Sequence, residues 1–317
     1  MRRIGFLLSN DFQLMTLASQ CVFEYANVVV SDCFYDVDNF SIEGGTVRTS
    51  LGMTVGTSSV QGCGEVHTWI VVGVNDPLAS RVSFREPEFL REEVGHAQRI
   101  AGVCTGAFLL AEAGLLARRR ATTHWAFARE MQRRFPDILV EEDRIYVVDG
   151  AIWTSAGMTA GLDMALAMVQ MDLGAAVARS VARKLVMHQR RSGGQSQHSE
   201  MLDLADKSDR IQKALNYARK NLSRPLTIEE LAETVHLSPR QFSRVFTQET
   251  GRSPAKAIEG LRLEAARSMI EQTRHPLDVI ARETGFTDRR HMRGAFIRGF
   301  GVTPQAVRRE MRDEELV

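Results

Sequence analysis

Short apolar runs alternate with segments of helical apolar spacing through the first 190 residues. Apolar residues in a run of four to eight predict a buried strand, whereas apolar residues at i, i+3 and i+4 predict a helix packed on one face. The predicted strands are Ile4–Leu8, Trp69–Val74, Ile100–Val103, and a hairpin of Ile145–Val148 with Ile152–Thr154 that turns at Asp149-Gly150. The predicted helices are Thr105–Ala113, Trp125–Phe135 and Thr159–Leu173. Strands that alternate with helices indicate an α/β domain with a largely parallel sheet.

A polar segment without periodicity follows this pattern. Residues 192–199 read Ser-Gly-Gly-Gln-Ser-Gln-His-Ser, a composition typical of linkers. Beyond it only helices and short turns are predicted. The sequence therefore predicts an α/β domain at 1–190, a linker at 191–207 and an all-α domain at 208–312.

The second domain contains a near-repeat of two helix pairs about 49–50 residues apart. The first pair begins at Ile228, and its second helix follows Ser238-Pro239, an N-cap serine before a proline at the first helical position. The second pair begins at Leu277, with Gly285 in the turn and Thr287 in the cap role. A helix beginning near Ala255 joins the pairs. Two such pairs predict tandem helix-turn-helix units, and the alternative is an ordinary small helical bundle.

This layout, including Gly301-Val302-Thr303-Pro304, resembles the DNA-binding domain of the AraC/XylS family. The resemblance implies that the second helix of each unit enters successive major grooves of double-stranded DNA. Gly294 stands where that family often has an arginine. The exposed positions that we expect to contact DNA are Arg240, Gln241, Ser243 and Arg244 in the first unit, and Arg289, Arg290, His291 and Arg293 in the second.

Charge and cysteine content agree with this division. Residues 1–206 carry 19 Lys and Arg against 24 Asp and Glu, whereas residues 207–317 carry 21 against 15. A basic helical domain suits a nucleic-acid partner. The four cysteines form no CxxC pair, so no metal site or disulfide framework is predicted. No apolar stretch approaches the roughly 20 residues of a membrane span, and we expect a cytoplasmic protein without a membrane partner.

The first domain contains a cysteine at a sharp strand-to-helix turn, Cys104, with His124 further along the chain. A thiol at a helix N-terminus is expected to have a lowered pKa, and a nearby histidine would complete an activated nucleophile. Residues 1–190 resemble the ThiJ/PfpI branch of the class I glutamine amidotransferase-like superfamily, which implies a flavodoxin-like fold. Many members have a carboxylate after the first strand, where this chain has Thr16.

The fusion of these domains is similar to AraC-family regulators of the GlxA type. That resemblance implies a homodimeric transcription activator that acts with RNA polymerase on an operator with paired half-sites and responds to a small-molecule effector. No cofactor, metal or catalytic residue is implied. An aromatic pocket suits an amino acid or a quaternary amine. The expected lining residues are Asn10, Phe12, Cys104, His124, Trp125 and Trp153.

Three alternatives stay open from the residues alone. The chain could be a cysteine-dependent hydrolase or amidotransferase-like enzyme fused to a DNA-binding domain, although the carboxylate missing near Thr16 weighs against it. Cys104 could sense redox state, although no resolving cysteine is nearby in sequence. Trp153 could belong to the core, and His124 could cap a strand.

Overall fold

The computed structural model describes residues 1–78, 85–93, 96–187, 191, 193–194, 197 and 208–309. It divides into two compact units, Met1–Gln197 and His198–Val317. Of the segment predicted as a linker, the described residues Arg191, Gly193, Gly194 and Gln197 lie in the first unit, and residues 198–207 lie outside the described part.

The first unit is built on an eight-stranded sheet that is mostly parallel, which confirms the predicted fold class. Its strands lie in the order β3-β4-β2-β1-β5-β6-β10-β9, with β3 and β9 antiparallel to their neighbours. A separate two-stranded sheet pairs β7 with β8. The strands are β1 Arg2–Leu7, β2 Tyr35–Ser41, β3 Gly45–Arg48, β4 Thr54–Ser59, β5 Thr68–Val71, β6 Arg99–Val103, β7 Arg120–Ala121, β8 Leu139–Val140, β9 Tyr146–Asp149 and β10 Ile152–Ser155.

Helices cover both faces of this sheet because alternate strand residues point to opposite sides. Ile4 and Phe6 pack with α1, α5 and α6, whereas Leu7 packs with α2, α3 and α4. The helices are α1 Gln20–Val30, α2 Arg85–Glu93, α3 Gly106–Glu112, α4 Trp125–Arg134, α5 Met158–Leu173 and α6 Ala175–Lys184, with a 3-10 helix at Leu14–Ser19.

The strands and helices predicted in the first domain are present, with ends that shift by a few residues. The sequence pattern did not predict α1, α2, α6 or the strands β2 to β4. β2 reads Tyr-Asp-Val-Asp-Asn-Phe-Ser and is only partly buried, and every residue of β4 is half-buried or exposed. Strands of this kind lack the continuous apolar run by which β1, β5 and β6 were recognised.

The second unit is helical, and its two helix-turn-helix units share one long helix. The first core combines α7, α8, α9 and the first half of α10, and the second core combines the other half of α10 with α11 and α12. The helices are α7 Asp209–Lys220, α8 Ile228–Glu233, α9 Pro239–Thr250, α10 Pro254–Gln272, α11 Leu277–Glu283 and α12 Arg289–Phe300. This arrangement confirms two helix-turn-helix units joined by a helix.

The structure corrects one predicted helix cap. Ser238 caps α9 as expected, since its hydroxyl accepts a hydrogen bond from Gln241 N. In the second helix-turn-helix unit the cap is Asp288 and not Thr287. The Asp288 carboxylate accepts a hydrogen bond from His291 N at 2.7 Å. The reason is one additional residue between the turn and the recognition helix of the second helix-turn-helix unit. Equivalent turn residues are 49 positions apart in the sequence, whereas equivalent residues of the recognition helices α9 and α12 are 50 positions apart.

Candidate functional site

Four loops meet at the carboxyl edge of the sheet, next to the strand pair β1 and β5. The chain leaves β1 for β2 on one side and returns to β5 on the other, so the strand order reverses at this pair, where open α/β sheets bind ligands. Gln13 N donates to Gly73 O at 3.0 Å, which ties the loop after β1 to the loop after β5. Cys104 N donates to Ser155 O at 2.9 Å, which ties the end of β6 to the end of β10.

Cys104 occupies the strained turn that the sequence predicted. Its φ of 57° is in the left-handed region, which a residue with a side chain rarely adopts. Gly157, with φ of 128°, allows the loop after β10 to pack directly on the thiol, since a Cβ there would lie 2.7 Å from Cys104 Sγ. The cysteine is therefore enclosed by backbone and only 1% exposed.

The expected low pKa of this thiol is wrong. Burial raises the pKa of Cys104 to about 11, and the hydrogen bonds with Thr105 only partly offset that effect. Desolvation disfavours the charged thiolate more than the helix N-terminus favours it. The thiol is consequently protonated at neutral pH.

The structure connects the His124 segment to Cys104 through the neighbouring residue. Thr123 Oγ1 donates to Cys104 O at 3.0 Å. His124 is the N-cap of α4, and its Nδ1 accepts from Ala126 N at 3.3 Å. The histidine therefore caps a helix, and the imidazole and Trp125 rings lie 5.5 Å apart.

The six expected pocket residues fall into two groups. Phe12, Cys104 and Trp153 are buried in one apolar cluster of the sheet face. Asn10 and Trp125 are exposed and His124 is half-buried. Asn10 Oδ1 accepts from Arg48 N at 3.0 Å, and Trp125 is 53% exposed.

The structure adds a carboxylate that sequence reasoning missed. Ser9, two residues after β1, donates from its hydroxyl to Glu86 Oε1 at 3.3 Å. Glu86 belongs to the first turn of α2, 77 residues along the chain, so no spacing rule could have connected them. At Thr16, where the carboxylate was sought, the buried hydroxyl donates to Gln13 O instead.

In the second unit, arginines occupy the outer face of both recognition helices. Arg240 and Arg244 on α9 are exposed, as are Arg290 and Arg293 on α12. Among the residues that the structure describes, no carboxylate forms an ion pair with any of these four. Arg289 is exposed and lies at the first helical position, equivalent to Pro239, and Ser243 is half-buried.

Two of the expected DNA-contacting side chains take part in the caps. Gln241 Oε1 accepts from Ser238 N at 3.2 Å, which completes a capping box. At the equivalent position, His291 Nδ1 accepts from Thr287 N at 3.4 Å. A contact from either side chain to a base would have to replace these hydrogen bonds, whereas the arginines are oriented outward.

The structure gives no sign of a metal centre or a membrane span in the parts it describes. In those ranges, His, Cys, Asp and Glu side chains form no group of three that could hold a metal ion. No described helix is both long enough and apolar enough to cross a membrane. The four cysteines are free thiols.

An α/β unit with a ligand-site topology and a helical unit with two arginine-bearing recognition helices define a DNA-binding transcription regulator. Comparison with known proteins agrees. The helix-turn-helix domain family matches residues 231–310, and the DJ-1/PfpI family matches residues 22–171.

Relatives of similar length carry both domains together. The HTH-type transcriptional regulator GlxA of Rhizobium meliloti (strain 1021) is 32% identical over 97% of this chain and 96% of its own length. The HTH-type transcriptional regulator GbdR of Pseudomonas aeruginosa (strain UCBPP-PA14) is 27% identical over 95% of this chain and 83% of its own length.

A solved AraC family transcriptional regulator from Pseudomonas putida shares the fold of part of the chain, with a TM-score of 0.53 and 20% identity over 58% of this chain and 100% of that one. The chain belongs to the GlxA family of HTH-type transcriptional regulators, which unite a DJ-1/PfpI domain with an AraC-type helix-turn-helix domain. It is an effector-responsive regulator.

Proposed function

We propose that this regulator is a cytoplasmic homodimeric activator, which binds a small metabolite in its first unit and recruits RNA polymerase at an operator with paired half-sites. The observation that carries the DNA-binding part is the row of outward arginines on both recognition helices. A dimer supplies four recognition helices, and symmetry then requires paired half-sites.

The arginines of the two helices read guanine edges or hold phosphates. Arginine matches the two acceptors of guanine in the major groove, and the remaining contacts position the protein on the backbone. The proposed DNA-binding residues are Arg240, Gln241, Ser243, Arg244, Arg289, Arg290, His291 and Arg293.

The effector is a small amine, either an amino acid or a quaternary ammonium compound. Glu86 supports this choice because it places an acidic side chain beside Ser9, just beyond the end of β1, and the aromatic rings among the proposed binding residues suit a cation. The proposed ligand-binding residues are Asn10, Phe12, Cys104, His124, Trp125 and Trp153, together with Glu86.

Cys104 and His124 are a vestigial catalytic pair in this proposal. A thiol with a pKa of about 11 is about one ten-thousandth ionised at pH 7. The His124 Nδ1 lone pair is engaged by Ala126 N. Neither group is arranged as an activated nucleophile and its base, and the same protonated thiol argues against redox sensing.

A cysteine-dependent hydrolase is the second candidate, favoured by one observation, the strained left-handed conformation of Cys104. The two candidates differ in thiol reactivity. The difference in alkylation rate between wild type and Cys104→Ser, followed from pH 6 to 11, should rise steadily toward pH 11. A plateau reached below pH 7 would support the enzyme, whereas a Cys104→Ser protein that still responds to its effector in a promoter assay would remove the catalytic role.

The experiment that tests the regulator is a thermal-shift screen of the full chain against the common amino acids, choline and tetramethylammonium. A compound that binds should raise the melting temperature of wild type and should leave the melting temperature of Glu86→Gln unchanged. Gel shifts on duplexes selected from a random pool by the wild-type chain then test DNA binding, and the selected sequences should contain two half-sites. Selection of unpaired sites would contradict the proposed dimer.

A further inference from the structure

The side chain of Gln197 is inserted into a socket of the first unit, close to the Cys104 loops. Its Oε1 accepts from Trp125 N at 2.9 Å, although the two residues are 72 apart in sequence. Its Nε2 lies within hydrogen-bond distance of four acceptors. They are Thr123 O at 2.9 Å, Glu142 O at 3.0 Å, Arg144 O at 3.1 Å and Thr122 Oγ1 at 3.2 Å.

This socket is selective for a carboxamide. An amide group offers two N–H donors and a carbonyl acceptor on one planar end, and the socket presents carbonyls on one side and an N–H on the other. A glutamate in place of Gln197 would turn a carboxylate toward the carbonyls of Glu142 and Arg144. The N–H of Trp125 is one of the donors that the first turn of α4 leaves without an intrahelical partner, so Gln197 also caps that helix.

The backbone next to Gln197 is held as well. Gln197 N donates to Asp143 Oδ1 at 2.8 Å, and the Arg144 guanidinium donates to Gly194 O. Gly193 is buried against Tyr146, since a Cβ there would lie 2.6 Å from Tyr146 O. A free linker would have none of these contacts.

Arg191 forms a second anchor, on α5. Its backbone N donates to Asp163 Oδ1 at 2.9 Å and its Nε to Asp163 Oδ2 at 2.8 Å. The Asp163 side chain is 1% exposed, so this ion pair is largely shielded from water. A third bond joins Arg191 Nη2 to Thr159 Oγ1 at 2.8 Å.

Both anchors border Cys104. Thr123 O accepts a hydrogen bond from Gln197 Nε2, and Thr123 Oγ1 donates one to Cys104 O. The helix that carries Asp163 begins directly after Gly157, which packs on the Cys104 thiol. A ligand that displaces either loop would therefore disturb an anchor.

We propose that Arg191, Gly193, Gly194 and Gln197 form a clasp, a docked part of the sensor domain that sets how many residues separate the last anchored position from the DNA-binding domain. With the clasp closed, Gln197 is the last described residue before Ser208 that contacts the sensor domain. Release would add seven residues, or up to about 24 Å of reach at roughly 3.4 Å per extended residue. This proposal rests on the proposed function, because effector binding beside Thr123 and Trp125 would shift the clasp between its two states.

Hydrogen exchange on the full chain tests the clasp without any effector. In Gln197→Ala, the amides of residue 197 and of Trp125 should exchange about tenfold faster, because several hydrogen bonds are lost together. Gln197→Glu should accelerate exchange at least as much. Gln132→Ala is the matched control, since the Gln132 carboxamide donates to Ile138 O in the same domain and its loss should leave these amides unchanged. Equal exchange in wild type and Gln197→Ala would overturn the clasp.

The effect on reach is measured on selected duplexes whose two half-sites are moved apart by whole helical turns. Wild type should lose affinity steeply with spacing, and Gln197→Ala should lose about fivefold less, because a longer tether spans more distances. Affinity for a single half-site should be the same in both proteins. Identical spacing profiles would overturn the role in reach. Failure of wild type to bind any duplex would contradict the proposed function, while hydrogen exchange would still decide the clasp.

Discussion

The two helix-turn-helix units have the same core but different turns. Phe242 and Phe246 are buried in the first unit at the positions that Met292 and Phe296 occupy in the second. Each recognition helix also ends at a glycine in the left-handed conformation, Gly251 or Gly301.

The turns differ because only one of them is covered. The residue with positive φ is His236 in the first unit, at 55°, and Gly285 in the second, at 80°. His236 is exposed, whereas a Cβ at Gly285 would collide with Leu222 O of the first helix-turn-helix unit. Arg262 reinforces this junction, since its Nε donates to Leu222 O at 3.2 Å. A turn in open space tolerates a strained side chain, and a turn inside a junction requires glycine.

The largest effect is expected from a methyl group at the covered turn. Gly285→Ala should lower the free energy of unfolding by about 3 kcal/mol, because the substitution combines backbone strain with a collision against backbone. His236→Ala, the same replacement at the open turn, should change it by less than about 0.5 kcal/mol. Urea denaturation of both variants measures the difference. Equal losses would contradict the assignment of Gly285 to a junction.

The next largest effect is on operator affinity, and it distinguishes the contributions of the two recognition helices. Arg240→Ala should weaken binding to the selected operator by about 2 kcal/mol, and Arg290→Ala by about 1 kcal/mol. We expect the first helix-turn-helix unit to contribute more to DNA affinity, because α9 has Arg244 where α12 has Gly294. Arg282→Ala removes an exposed charge from α11 and is the control in the same gel-shift titration. Wild-type affinity in both Arg240→Ala and Arg290→Ala would refute the proposed DNA-binding faces.

The helix caps give a smaller effect. Ser238→Ala and Asp288→Ala should each reduce stability by about 1 kcal/mol, the usual contribution of an N-cap side chain. Thr287→Ala should cost less than about 0.5 kcal/mol, because Thr287 precedes the cap. Thermal unfolding of the three variants checks the order. A larger loss for Thr287→Ala than for Asp288→Ala would restore the cap position predicted from the sequence.

The smallest expected effect is a gain in stability. His236→Gly should stabilise the chain by about 0.5 kcal/mol, because the relief of left-handed strain slightly exceeds the entropy that glycine loses on folding. Gly251→Ala is a useful counterpart, since a Cβ there meets nothing within 4 Å and only strain is added. A loss of stability in His236→Gly would mean that the imidazole makes a contribution that outweighs the strain.

Most of the elements, both helix-turn-helix units and the Cys104 turn could be predicted from the sequence, and the wrong or missing predictions have a common origin. The repeat of about 49–50 residues predicted both helix-turn-helix units, but the second cap was placed at Thr287, one residue before Asp288. Cys104 was recognised from its strand-to-helix turn, yet its raised pKa depends on the loop around Gly157. Glu86 and Gln197 were missed as site residues because their partners are 77 and 72 residues away.

Features that depend only on neighbouring residues follow directly from the amino-acid sequence. Apolar periodicity sets the helices and the buried strands, and Ser238-Pro239 sets the start of α9 through a bond to Gln241. Tertiary structure alone decided how far Cys104 is desolvated, where Gln197 is docked and why Gly285 must lack a side chain. Burial and close packing join residues distant in the chain, and the free energies involved depend on the whole fold, whereas a cap or an apolar stripe is complete within a few turns of one helix.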